Sequence, residues 1–135
     1  METLTPRQET ILGLLIREYV ETATPISSTG LVEKYNLGVS SATVRNEFAA
    51  LTAAGFLRQP HTSAGRVPTE MGYRYFVQRM VGEADLPLTE RNTISHQFYQ
   101  MGGEVDQWMR LAASVLARHS RVASLVTSPH PERAR

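Results

Sequence analysis

Ile11, Leu12, Leu15, Ile16 and Tyr19 recur at helical spacing, so the chain is expected to open with an amphipathic helix that buries one stripe. Thr5, Pro6 and Gln8 read as an N-cap, a first-turn proline and the polar partner of a capping box, placing its start at Pro6. The pattern stops between Thr22 and Pro25. A short second helix is predicted through Leu31, Val32 and Tyr35, with Ser28 as its cap and Asn36-Leu37-Gly38 as its end. Ser40 or Ser41 caps a third helix. Along it Val44, Phe48 and Leu51 lie one above another, while Ala42, Arg45, Asn46 and Ala49 fall on the opposite side.

After Gly55, Phe56 to Gln59 reads as a short strand, Pro60 to Gly65 as a turn-rich loop and Arg66-Val67 as a returning strand. Thr69 can cap a fourth helix in which Tyr73, Phe76, Val77 and Met80 form an apolar stripe ending near Gly82. Three helices, a hairpin and a fourth helix are the order of a winged helix-turn-helix. The fold is therefore expected to be mainly α, with a first domain over residues 1–82 and a polar, proline-containing linker over 83–89. Residues 90–135 form a second, partial α/β segment in this reading. Ile94, Phe98 and Met101 share one helical face, Val105, Trp108, Met109, Ala112 and Leu116 another, and Val122 to Val126 reads as a buried strand. Two helices and a strand are too few to bury those stripes, so this segment is expected to self-associate or remain partly molten, with the Trp108 stripe read as core or partner-helix surface and not a ligand pocket.

Composition narrows the function classes without choosing among them. At 135 residues and 41% hydrophobic, the chain can bury one ordinary domain core, or a small domain with an appendage. A net charge of +1 neither demands nor excludes a polyanionic partner, so any basic surface must be local. With no cysteine there are no disulfides, thiolate zinc sites or thiol nucleophiles, and the four histidines are scattered. No apolar run approaches the roughly 18 residues that span a bilayer, and the N-terminus lacks a basic leader. A cytoplasmic protein without metal or cofactor, not attached to a membrane, is the expectation.

Candidate chemistry concentrates on the third helix. A helix that enters the major groove needs one packed face and a facing row of short or hydrogen-bonding side chains, which Ser41, Ala42, Arg45, Asn46 and Ala49 supply. Arginine can donate two hydrogen bonds to guanine, and asparagine can pair with adenine; small alanines permit close approach. The competing reading is that Arg45 and Asn46 are merely solvated. The loop His61-Thr62-Ser63-Ala64-Gly65-Arg66 offers hydroxyls and a cation suited to phosphate or the minor groove, although such a loop alone is more often just a turn. The expected DNA-contacting set is Ser40, Ser41, Ala42, Thr43, Arg45 and Asn46, with His61, Thr62, Ser63, Gly65 and Arg66 from the wing. Catalysis has no foothold. Ser63 lacks a nucleophile elbow, no histidine and carboxylate are spaced as a triad or zincin, and Gly102-Gly103 lacks the lysine of a phosphate loop. Glu47 and Glu70 read as helix-surface charges.

The run from Val39 to Val77 contains SATVRNE over the third helix, PHTSAGRVPT over the wing and GYRYFV over the fourth helix. It resembles the HrcA heat-inducible transcription repressors along its whole length, and LTPRQETIL to REYVETATP fits the same family. The sequence departs from relatives at Ile26 to Gly30, where Thr29 stands in a stretch that typically carries an arginine. The resemblance implies a repressor that binds, as a homodimer, an inverted-repeat operator of double-stranded DNA ahead of chaperone operons. It also implies release on heat shock, a chaperonin that promotes the active state, and a larger dimerisation domain of which residues from about 90 onward are the opening. It implies a binding protein and not an enzyme. A winged helix used for protein contacts and the regulatory head of a longer bifunctional enzyme remain the alternatives.

Overall fold

The computed structural model describes residues 3–61, 64–83 and 105–127. Helix α1, Pro6–Thr22, starts as a capping box: the Gln8 amide N–H donates to Thr5 Oγ1, and the Thr5 amide donates to Gln8 Oε1, each at 3.1 Å. It stops where Ala23 turns left-handed at φ 55° and donates its N–H to the Tyr19 carbonyl. Helix α2, Ser28–Lys34, is capped by Ser27, one residue earlier than the pattern predicts, because Ser27 Oγ accepts the Gly30 amide at 2.9 Å. Helix α3, Ser41–Ala53, is capped by Ser40 accepting from the Thr43 amide at 3.2 Å.

Gly55, at φ +94°, reverses the chain out of α3 into a hairpin of β1, Leu57–Arg58, and β2, Val67–Pro68. The strands are antiparallel, with Leu57 opposite Pro68 and Arg58 opposite Val67. This is narrower and one residue later than the expected pairing. The Phe56 carbonyl accepts the Thr69 amide instead, and Arg66 pairs with Ile26, its N–H and carbonyl both bonded to that residue at 2.9 and 3.0 Å. Pro68 has no N–H, so the ladder cannot extend through it. The wing is thus stitched at its stem to the loop before α2.

Helix α4, Glu70–Glu83, begins at Thr69, whose Oγ1 accepts the Gly72 amide at 3.1 Å and donates to the Gly55 carbonyl at 2.6 Å. Gly72 lies so close to β1 that a Cβ there would meet the Phe56 carbonyl oxygen at 2.3 Å. Glu83, expected in the linker, is the last residue of α4. The linker's remaining residues and the Ile94-Phe98-Met101 stripe lie outside the described residues.

Helix α5, Val105–Thr127, continues through Val122 to Val126, where a strand was expected. No glycine or proline interrupts that stretch. Extending a helix that already exists costs a β-branched residue only about 0.7 kcal/mol or less, so the valines do not break it. Trp108, Leu111, Ala112 and Val115 are buried in the same core as Leu15, Ile16, Val44, Phe48, Leu51, Tyr73 and Val77. Met109 and Leu116 pack partly against it while Val105 stays exposed, so from Trp108 onward this stripe is core covered by the chain's own helices, where self-association or a partly molten segment is expected. The Arg74 guanidinium of α4 sits over the Trp108 ring, 5.3 Å from its centre. Phe56 and Tyr75 meet edge to face at 5.4 Å, joining wing base to α4.

Candidate nucleic-acid interface

The two sides of α3 differ as the helical wheel requires. Val44, Phe48 and Leu51 are buried, each at 1% exposure or less, while Ala42, Arg45, Asn46, Ala49 and Ala50 are exposed. Burying Phe48 and its two neighbours at about 1.5–3 kcal/mol apiece fixes the roll of the helix about its axis, and that roll presents Arg45 and Asn46 outward. The N-terminal hydroxyls are partly committed. Ser40 is exposed but caps the helix and donates to Thr43 Oγ1 at 3.2 Å, and Ser41 and Thr43 are half-buried.

The third helix's carboxylate is turned away from this face. Glu47 accepts from Gln8 Nε2 at 3.1 Å and from Arg7 at 3.3 Å, both on α1. The charge left on the outward side of α3 is therefore that of Arg45, a favourable sign for a phosphate-lined groove. Helix α2 is held behind it. Glu18 of α1, 8% exposed, accepts the Tyr35 hydroxyl at 2.5 Å and the Lys34 ammonium at 3.0 Å. The Tyr35 hydrogen bond holds the Glu18 carboxyl below its ordinary range, with burial opposing and Lys34 assisting. Burial and the Glu18 carboxylate push the Tyr35 hydroxyl up to about 12.

The wing meets the sequence reading only in part. His61 and Ala64 are exposed, and Thr62 and Ser63 lie outside the described residues. Gly65, expected on the DNA-facing surface, is buried: a Cβ there would stand 2.9 Å from Pro25. Its role is close approach of two backbones. Arg66 is half-buried, with Nε on Thr52 Oγ1 at 3.0 Å and a terminal nitrogen on the Ala64 carbonyl at 3.2 Å. Sequence reasoning passed over Arg58, an exposed cation on β1 beside the buried Leu57; strict alternation along the strand is the signal that marks it. It also passed over Thr52, whose link to Arg66 joins residues fourteen apart and leaves no local trace. Among the described residues there is no group of three or more side chains arranged to hold a metal ion, and no helix is long and apolar enough to cross a membrane.

A capped helix pair, a third helix with one free polar face and a hairpin stitched beside it define a winged helix-turn-helix protein. No family model matches the chain. Whole sequences do. It is 54% identical over 132 residues to the heat-inducible transcription repressor HrcA of Chloroflexus aggregans, covering 98% of this chain and 35% of that protein. The Roseiflexus castenholzii HrcA matches at 54% identity over 98% and 37%, and that of Thermomicrobium roseum at 49% over 93% and 36%. The chain is therefore similar to the N-terminal part of these repressors along nearly its whole length, and spans about a third of the length of the curated relatives it matches. A crystal structure of a hypothetical protein, at 2.2 Å resolution, aligns with a TM-score of 0.57 and 42% identity over 62% of this chain and 27% of that one.

Proposed function

We propose that this chain is the operator-reading head of a transcriptional repressor. In this reading α3 enters the major groove, with Arg45 donating to guanine and Asn46 pairing with adenine, while Ser40, Ser41 and Thr43 approach the backbone at its N-terminus. In this proposal His61, Thr62, Ser63 and Arg58 supply phosphate or minor-groove contacts. The single observation that carries the proposal is the outward face of α3, an arginine and an asparagine between alanines, with the helix's own carboxylate drawn off to α1.

The rest of the proposal is what the family resemblance of the sequence implies: a homodimer on an inverted repeat ahead of chaperone genes, acting in the cytoplasm, released on heat stress, with a chaperonin favouring the active form. Residues 1–82 form the reading head in this proposal, and those from about 90 onward open the dimerisation domain, with α5 packed on α1 and α4. A lone head forfeits the gain from a linked second half-site, so this chain binds more weakly than a complete repressor. Fluorescence titration with an inverted-repeat chaperone-promoter duplex, its half-site and a scrambled duplex tests this. Preference for the promoter sequence over the scrambled one, with little gain from half-site to full site at low protein concentration, supports the proposal. Equal affinity for promoter and scrambled duplex overturns it.

A further inference from the structure

The geometry points to Arg66 as a positioning residue that fixes the wing against the reading helix through Thr52, and not as a phosphate contact; this rests on the DNA-binding reading above. Thr52 lies in the last turns of α3, half-buried, and its hydroxyl donates to the Phe48 carbonyl at 2.7 Å. With its proton so committed, Thr52 Oγ1 presents a lone pair to Arg66, whose Nε donates at 3.0 Å. The same guanidinium donates to the Ala64 carbonyl at 3.2 Å, two residues back along the same arm of the wing.

The backbone leaves little slack around this link. Both peptide groups of Arg66 are bonded to Ile26, and Gly65 is pressed against Pro25. Arg66 therefore joins the loop before α2, the wing and the C-terminal part of α3 in one place. An arginine suits this because its rigid fork can span two acceptors, which a lysine ammonium on a flexible stem does less well. Losing the link frees the wing to swing relative to Arg45 and Asn46, so the second surface on the duplex is no longer held in register with the first.

The test uses Arg66→Ala, Arg66→Lys, Thr52→Val, Thr52→Ser and the Arg66→Ala/Thr52→Val pair, titrated with promoter duplex across a salt series. Amide exchange at Ile26 and Arg66 is measured in parallel without DNA. Arg66→Ala and Thr52→Val should each weaken binding by about tenfold, the size of one net hydrogen bond, with the pair no weaker than the worse single variant. The salt slope should stay that of the parent, Arg66→Lys should resemble Arg66→Ala, and Thr52→Ser should resemble the parent. Exchange at Ile26 and Arg66 should quicken in both Arg66→Ala and Thr52→Val, a readout that stands even if the parent chain binds no duplex. A slope lower by about one unit in Arg66→Ala, with parental binding and exchange in Thr52→Val, overturns the inference in favour of a phosphate contact. Thr52→Ser as impaired as Thr52→Val overturns it also.

Discussion

The Gln8 side-chain amide donates to Glu47 across 3.1 Å while its carbonyl oxygen accepts the Thr5 amide, so one residue both caps α1 and grips α3. Glu47 and Arg7 add an ion pair at 3.3 Å, with Glu47 18% exposed and Arg7 54%. At that exposure the ion pair contributes little, and the half-buried Gln8 bond is the larger effect. Glu47→Ala should lower stability by about 0.5–1.5 kcal/mol, measured by urea unfolding. A double-mutant cycle with Gln8→Ala should return most of that loss as coupling energy; independent, additive losses would show that the contact does not join the helices.

Gly72 and Gly13 give a paired contrast. A methyl at position 72 would meet the Phe56 carbonyl oxygen at 2.3 Å, whereas at position 13 it would meet Phe76 ring atoms at 3.7 Å, an ordinary contact. Gly72→Ala should therefore destabilise the fold by about 1–3 kcal/mol as β1 and α4 are forced apart. Gly13→Ala, in the middle of α1, should instead stabilise it by about 0.5–1 kcal/mol. Melting temperatures that move the same way in both variants would contradict the packing described here.

Much of this arrangement is legible from the chain, and the rest is not for identifiable reasons. The apolar stripes of α1, α3 and α4 announce the core because helical periodicity and burial coincide in them. The outward turn of Arg45 and Asn46 follows from Val44 and Phe48 being inward. By contrast, the Arg66 links to Ile26 and Thr52 are set by tertiary geometry, and a cation after a small-residue turn looks the same whether it faces solvent or a threonine. Trp108 reads as core or partner-helix surface and is buried, but its covering helices were not legible: an amphipathic helix shows which face needs cover, not which helices provide it. In α5, valines that favour strands were outvoted by an uninterrupted helix.

The Glu18–Tyr35 pair gives stability a dependence on pH at both ends. Glu18 titrates lower in the folded chain than its ordinary value of 4.5, so its contribution is present above that pH and is lost as pH falls through the depressed value. Tyr35 is raised from 10.0 to about 12, so its contribution is complete below pH 10 and is lost as pH rises toward 12. Tyr35→Phe removes the alkaline loss at this site and leaves the buried carboxylate with Lys34 alone, at a cost near neutrality of about 1–3 kcal/mol. Urea midpoints between pH 3 and 11 check this. A variant as stable as the parent at pH 7, with the same alkaline decline, would contradict it.

The central claim is that α3 reads bases through Arg45 and Asn46. Its most direct test is the affinity difference between promoter and scrambled duplex at one fixed salt concentration, measured for the parent chain, Arg45→Ala and Asn46→Ala. Each substitution should shrink that difference by roughly 1–3 kcal/mol, while thermal unfolding stays within about 0.5 kcal/mol of the parent because both side chains are exposed. Equal weakening on both duplexes, with the sequence preference intact, would contradict base reading by this face.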